Sequence, residues 1–400
     1  MTYDVNKIRS HFPSLNTGLA FFDGPGGSQV PTVVGDAIAH AISKPISNRN
    51  VVTESEKNAE EIVVGFRRAV GDLIDVDPRG VVYGRSWTQL TYDFSRTLAK
   101  NWGPGDEVVV SRLDHDSNIR PWIQAAEAVG ATVRWAEIDL ETTELTVAAV
   151  EAVLSPKTKL VAVTGAGNTI GTRPDLKAIG IAVHKVGALF FVDGVHLTPH
   201  AAISVKEIGA DFFGFSFYKL MGPHCAALAA SPALLETLNN DKLLPATNVV
   251  PERFEFGTLP YELMAGCIAA IDFIAEMAPG DGETRRERIV NSMNALEKYE
   301  DELMEYLESS VAALPGVTLY GRAKHRTPTI YFSFAGHKSS NIYQAMALKK
   351  VNVPASNFYA LEVSRKLGLG DAGALRAGLA PYSTRDDVDR LVAGLREVIV

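Results

Sequence analysis

At roughly 150 residues per domain, a chain of 400 residues accommodates two or three domains with a sizeable core, which excludes a short peptide or a disulfide-stapled miniature. Hydrophobic residues make up 46% and charged residues 22%, a globular mix and not a disordered one. Thirty-nine Lys and Arg against 47 Asp and Glu leave a net charge of −8 with no basic run, so the footprint that nucleic acid or an anionic membrane requires is missing.

The opening segment MTYDVNKIRSHFPSL lacks the apolar stretch of a secretory leader, and no run reaches the 18 or so apolar residues of a membrane span. Cys225 and Cys267 both sit in apolar surroundings, HCAALAA and AGCIAAI, which suits buried thiols in a reducing compartment. The expectation is a cytoplasmic protein acting on a small molecule, with neither nucleic acid nor membrane as partner.

Between residues 80 and 230, short β-branched or apolar runs alternate with amphipathic stretches. The runs are VVYG at 81–84, EVVVSR at 107–112, TVRWAEI at 132–138, KLVAVT at 159–164, ALFFVD at 188–193, DFFGFSF at 211–217 and CAALAA at 225–230. Helical patterns at 88–100, 121–130 and 174–187 lie between them. This rhythm predicts an α/β fold with a mainly parallel, seven-stranded sheet covered on both faces. At 278–288 the charged, turn-rich APGDGETRRER interrupts the pattern. A polar helix follows at 287–312, then strands TPTIYFSF and ALRAGLA and helices near 339–349, 359–367 and 384–397. The reading divides the chain into a large domain, 20–280, and a smaller α+β domain, 281–400 together with 1–19.

In an open α/β sheet, ligands bind beyond the carboxyl ends of the strands, so the polar residues there are the candidates. Ser86, Trp87 and Thr88 open a helix after the first strand, where free N–H groups favour a phosphate, although Ser at such a place is also an ordinary cap. The second strand runs into Asp114-His115-Asp116-Ser117-Asn118, and the fourth into Gly165-Ala166-Gly167-Asn168-Thr169-Ile170-Gly171. That glycine turn approximates a dinucleotide fingerprint with Asp193 as ribose partner, the basis for an alternative nicotinamide-dependent oxidoreductase; its last glycine falls one place late and Pro174 starts the helix after the glycines.

Asp193 ends the apolar strand ALFFV, where a carboxylate needs a cation or several donors. His196 and His200 follow, but Pro199 breaks the helical spacing a metal cluster would use, so no metal site is assigned. Lys219, in Ser216-Phe217-Tyr218-Lys219, is set among aromatics at a strand end; burial there lowers its pKa and makes the amine a nucleophile toward an aldehyde. One cofactor uses all these groups: pyridoxal 5'-phosphate, with Lys219 for the aldehyde, Asp193 for the ring nitrogen, and Ser86, Ser216 and the helix start for the phosphate.

The chain resembles the class V aminotransferases of PLP fold type I, in their cysteine desulfurase and selenocysteine lyase branch. The motifs carrying the resemblance are FDGPGG at 22–27, SNIRPW at 117–122, Asn168 with Gly171-Thr172, DGVH at 193–196, SFYK at 216–219, FEFGTLP at 254–260 and RAGLAPYST at 376–384. The resemblance implies that Lys219 binds the coenzyme and moves the substrate Cα proton, that Asp193 keeps the ring nitrogen protonated, and that His196 stands at the ring-oxygen position. It further implies that Arg376 clamps the substrate carboxylate beside Asn168, and that Thr258 reaches the phosphate of a neighbouring subunit in a homodimer with shared sites.

Three positions depart from the pattern. Tyr218 replaces a phosphate-binding histidine. The ring-stacking histidine position falls on Asp116, with His115 one place before it. In the loop where desulfurases carry their persulfide cysteine, this chain reads VPASNFYAL at 353–361, with Tyr359 at the substrate side. Without that thiolate, the expected reaction on a small amino acid is α-proton abstraction and β-elimination, a C–S lyase on cysteine or a cysteine-derived amino acid. The alternative is an aminotransferase or a decarboxylating or oxidative deaminase acting on a larger amino acid.

Overall fold

A computed structural model describes residues 3–399. Thirteen strands occur in it: β1 (Ala20–Phe21), β2 (Val81–Gly84), β3 (Glu107–Ser111), β4 (Thr132–Ala136), β5 (Thr158–Thr164), β6 (Leu189–Asp193), β7 (Phe212–Ser216), β8 (Ala226–Ala230), β9 (Val317–Tyr320), β10 (Thr329–Phe334), β11 (Val351–Asn352), β12 (Ala355–Ser356) and β13 (Ala374–Gly378). The seven expected strands form one sheet in the order β2-β8-β7-β6-β5-β3-β4. Only β8 runs against the rest, antiparallel to both β2 and β7. Because β8 lies between two strands of the common direction, β2, β3, β5, β6 and β7 all end at the same edge, and the polar residues that follow them converge there.

The inner strands read as continuous apolar runs because both faces are covered, whereas the edge strand β4, TVRWA, alternates and is partly exposed. Successive residues alternate between the two faces: Val109, Val161, Val163, Phe190 and Val192 join one core cluster, while Val108, Val110, Leu160, Ala162 and Phe191 join the other. Beyond the large sheet, β12-β13-β10-β9 make an antiparallel four-stranded sheet with its own core, and β1 pairs in parallel with β11. The long helices Glu54–Ile74, Arg285–Ala312 and Arg385–Val398 each start from a capping box, on Thr53, Thr284 and Thr384.

Two features differ from the sequence expectation. Helices Thr32–Ser43, Glu54–Ile74 and Tyr261–Glu276 add a layer that the strand-and-helix reading did not place. The last of them, YELMAGCIAAIDFIAE, is apolar nearly all round because it is packed between other helices, and so carries little 3.6-residue contrast. The helix expected at 359–367 starts only at Leu361, because Phe358 and Tyr359 have φ values of 51° and 60°, in the left-handed region. No helix among the described residues is long and apolar enough to cross a membrane.

Candidate active site

Two adjoining chambers open at the shared strand edge, an outer one of about 630 Å³ and a small inner one of about 70 Å³. Ser86, Trp87, Asp193, His196, Ser216, Tyr218 and Lys219 line the inner chamber. Asp116, Tyr359 and Arg376 line the outer one, and His115, Asn168, Tyr218 and Lys219 face both. Of the residues that the sequence assigns to coenzyme or substrate, only Thr258 lies elsewhere: it is exposed, and its hydroxyl reaches Asn48 Oδ1 at 3.4 Å.

Asp193 ends β6 with both carboxylate oxygens engaged. The Trp87 indole N–H donates to Oδ2 at 2.7 Å and the Val195 backbone N–H to Oδ1 at 2.9 Å. Burial pushes the Asp193 carboxyl up, opposed by the Val195 N–H, the Lys219 charge and the Trp87 bond. Trp87 holds this position because Gly214, opposite Asp193 in the register of β6 and β7, has no side chain: a Cβ there would lie 1.9 Å from the indole. Gly214→Ala is therefore expected to displace the indole, destabilise the fold by about 1–3 kcal/mol as overpacking does, and free Asp193 from its donor. Thermal denaturation, together with the dissociation constant of pyridoxal 5'-phosphate, checks this; unchanged values for both would contradict the assigned role of the glycine.

Lys219 closes the turn after β7 and is 8% exposed. Burial and the nearby Arg376 lower the pKa of its amine, with Asp193 acting in the opposite direction. The neutral amine is thus favoured far more than in an exposed lysine, the state a nucleophile or proton acceptor needs.

Arg376, on β13, is 2% exposed and forms no ion pair among the described residues. One Nη donates to the Asn168 carbonyl at 2.9 Å, the guanidinium lies 3.7 Å from the Phe358 ring centroid, and Nε has no partner. Burial pushes its pKa down to about 9, so the group is still a cation at neutral pH. Asn168 Nδ2 donates to the Phe358 carbonyl at 2.9 Å, while its Oδ1 is unpartnered.

His115 and Asp116 separate clearly. The Asp116 carboxylate pairs with Arg120 Nε at 2.8 Å, whereas the His115 ring faces both chambers and stacks on Tyr359 with centroids 5.5 Å apart. Ser117 N–H donates to His115 Nδ1 at 3.0 Å. Burial, Lys219 and Arg376 push the imidazole down to about 3, so it stays neutral. His196 Nε2 meets Thr329 Oγ1 at 3.2 Å and its Nδ1 has no partner, while His200 Nδ1 sits 2.8 Å from Glu300 Oε2.

A buried polar atom without a partner costs about 1–3 kcal/mol, so His196 Nδ1, Asn168 Oδ1 and Arg376 Nε, gathered at these chambers, mark where a polar ligand fits. A buried amine, a buried acid with two donors, a neutral imidazole and a helix start capped by Ser86 suit an aldehyde, a pyridine nitrogen, an aromatic ring and a phosphate respectively. The residues present fit pyridoxal 5'-phosphate.

The glycine turn has a different use from the one a dinucleotide fingerprint would give it. Gly167 N–H donates to Thr172 O and Gly171 N–H to Gly167 O, closing the turn on itself. The helix starts only at Leu176, capped by Asp175. Gly165 N–H donates to Asp193 O, so all three glycine N–H groups of the turn are bonded to backbone carbonyls, and the turn sets Asn168 at the chambers.

The sequence assigns no role to Phe358, which offers both its carbonyl and its ring to the site, nor to Tyr92, Arg120 and Asp114. Asp114 is fully buried beside Ser111 and Asn118, and burial pushes its carboxyl up to about 8. The i,i+4 spacing of Asp116 and Arg120 was the available signal that Asp116 is paired away from the ring. Cys225 and Cys267 are buried with their sulfurs 3.1 Å apart, and neither lines a chamber.

Comparison with known proteins places this geometry in a group. The profile described as aminotransferase class-V matches residues 20–391. A Mycobacterium tuberculosis protein named "Uncharacterized protein MT3887" is 35% identical, covering 99% of each chain. The aminotransferase-like protein FGM3 of Gibberella zeae is 31% identical over 100% of this chain and 99% of its own. The crystal structure of the cysteine desulfurase CsdA of Escherichia coli, in an S-sulfonic acid form, superposes with a TM-score of 0.88 at 24% identity, covering 100% of both chains.

Proposed function

Given that the chain belongs to the class V aminotransferase family, as a pyridoxal 5'-phosphate-dependent enzyme of the cysteine desulfurase-like kind, we propose that it is a C–S lyase. Its substrate on this reading is cysteine or a cysteine-derived amino acid, cleaved in the cytoplasm without transfer of sulfur to a cysteine of its own. The observation carrying the proposal is the loop 356–360, which brings Phe358 and Tyr359 to the outer chamber where persulfide chemistry would require a thiol. Three of the loop's backbone carbonyls accept hydrogen bonds from the surrounding fold. Asn168 donates to the Phe358 carbonyl, the Asp116 N–H to the Tyr359 carbonyl at 2.7 Å, and the Tyr331 hydroxyl to the Ser356 carbonyl at 2.8 Å.

Lys219 would hold the coenzyme aldehyde, Asp193 the ring nitrogen, His115 the ring face and His196 the ring oxygen. Ser86, Ser216 and Tyr218 would take the phosphate, joined by Thr258 of a second copy in a homodimer, with the chain divided near residue 280 into two domains. When bound, the coenzyme supplies an electron sink for the pair left as the Cα–H bond breaks. Asp193, backed by Trp87, keeps a proton on the ring nitrogen. Arg376 holds the substrate carboxylate in its fork, and the Lys219 amine takes the Cα proton. The sulfur leaves from Cβ as a thiol, and water completes the conversion to pyruvate and ammonia.

Incubation of the holoenzyme with L-cysteine, L-selenocysteine and S-substituted cysteines, without any keto acid, is expected to release pyruvate and ammonia in equal amounts. No pyruvate from any of them, together with turnover that depends on a keto acid, would replace this reading with an aminotransferase acting on a larger amino acid, which the size of the outer chamber also accommodates.

A further inference from the structure

The outer chamber, about 630 Å³, falls within the roughly 300–1,000 Å³ of sites for drug-sized ligands and far exceeds what the side chain of cysteine needs. Its inner end is committed to the amino-acid part of a substrate through Lys219 and Arg376. Its outer wall is made of rings: Tyr92, His115, Phe358 and Tyr359, with Pro121 beside them. Tyr359 is 72% exposed although one face stacks on His115, so a large aromatic surface stands uncovered at the chamber.

The charges of that outer wall are already spent. Asp116 and Arg120 bind each other at 2.8 Å, and Arg120 also binds Glu362 at 2.8 Å. Arg112 pairs with the other oxygen of Glu362. A substituent ending in a carboxylate or an ammonium would therefore either break this network or lose its hydration without a partner, and both outcomes weaken binding. An uncharged ring meets neither penalty and covers apolar surface on entering.

Resting on the lyase reading above, we infer that the substrate is an S-conjugate of cysteine whose sulfur carries an uncharged aromatic group seated against Tyr359 and Tyr92. The reaction balances with water alone: the Cα–H and Cβ–S bonds break, the sulfur leaves with a proton as the aryl or arylalkyl thiol, and the three-carbon remainder takes up water to give pyruvate and ammonium. No oxidant or reductant enters.

The test uses the holoenzyme with S-benzyl-L-cysteine, L-cysteine and S-carboxymethyl-L-cysteine, following thiol and pyruvate. It adds a binding measurement with S-benzyl-2-methylcysteine and 2-methylcysteine, which lack a Cα–H and cannot be cleaved. The benzyl substrate is expected to exceed both others in kcat/KM by about tenfold or more, and the benzyl probe to bind about tenfold tighter than its unsubstituted counterpart, as one aromatic contact supplies. Tyr359→Ala is expected to lower the benzyl-to-cysteine ratio about tenfold while Tyr359→Phe keeps it. Equal or greater kcat/KM for cysteine or the carboxymethyl compound, or a ratio untouched by both Tyr359→Ala and Tyr92→Ala, overturns the inference and leaves the lyase reading standing. Preferential binding of the benzyl probe with no pyruvate from any substrate overturns the lyase reading and supports the aromatic subsite.

Discussion

Lys219→Ala is expected to yield a folded protein that retains no covalently attached coenzyme and has lost at least about three orders of magnitude in kcat. Positioned acid–base groups alone contribute roughly 10²–10⁴-fold, and this residue also anchors the aldehyde on the proposed reading. The fold should survive because the amine is buried without a hydrogen-bonding side-chain partner; its nearest cation–ring contact, to Tyr218, is 5.9 Å away. Intact mass after borohydride treatment gives a readout independent of turnover: the native chain should gain the mass of the reduced coenzyme and the variant should not. The lowered pKa of the Lys219 amine also sets the sign of the pH dependence. The proton-accepting form is present above that pKa, so kcat/KM should rise with pH through a region far below that of an ordinary lysine. An adduct of unchanged mass in the variant would remove Lys219 from the proposed chemistry.

Residues at strand ends were legible because a run such as ALFFVD states its burial in its own composition, and a carboxylate ending it demands a partner. Asp193 and Lys219 could be picked out on that ground, and the shared direction of β2, β3, β5, β6 and β7 brings Ser86, His115, Asn168, Asp193 and Lys219 to one edge. What could not be read depends on contacts distant in sequence. Trp87 looked like part of a helix start, and its bond to Asp193, 106 residues away, exists only because Gly214 leaves room across the sheet. Phe358 gave no signal because its left-handed backbone follows from the Asn168 and Asp116 hydrogen bonds that hold the loop. The helix Tyr261–Glu276 was hidden for the opposite reason: burial on most sides removes the polar stripe that would have marked its period.

Arg376→Ala is expected to lower kcat/KM by about 10²–10³, since removing one partner of a buried charged pair costs roughly 2–5 kcal/mol. The free side chain is already oriented to grip a carboxylate, with one Nη fixed on the Asn168 carbonyl, the plane resting on Phe358, and Nε unpartnered. Arg376→Lys should recover little, because a single ammonium cannot supply two parallel donors and would lose the stacking on Phe358. Two measurements separate carboxylate binding from a merely structural role. An S-substituted cysteamine, which has no carboxylate, should bind the native and variant holoenzymes with nearly equal affinity, whereas the corresponding cysteine derivative should not. Removing the guanidinium also takes a positive charge away from Lys219, so the amine should hold its proton to higher pH and the acid limb of the rate profile should move upward. Equal losses with and without the carboxylate, and an unmoved acid limb, would show that Arg376 supports the sheet and does not grip the substrate.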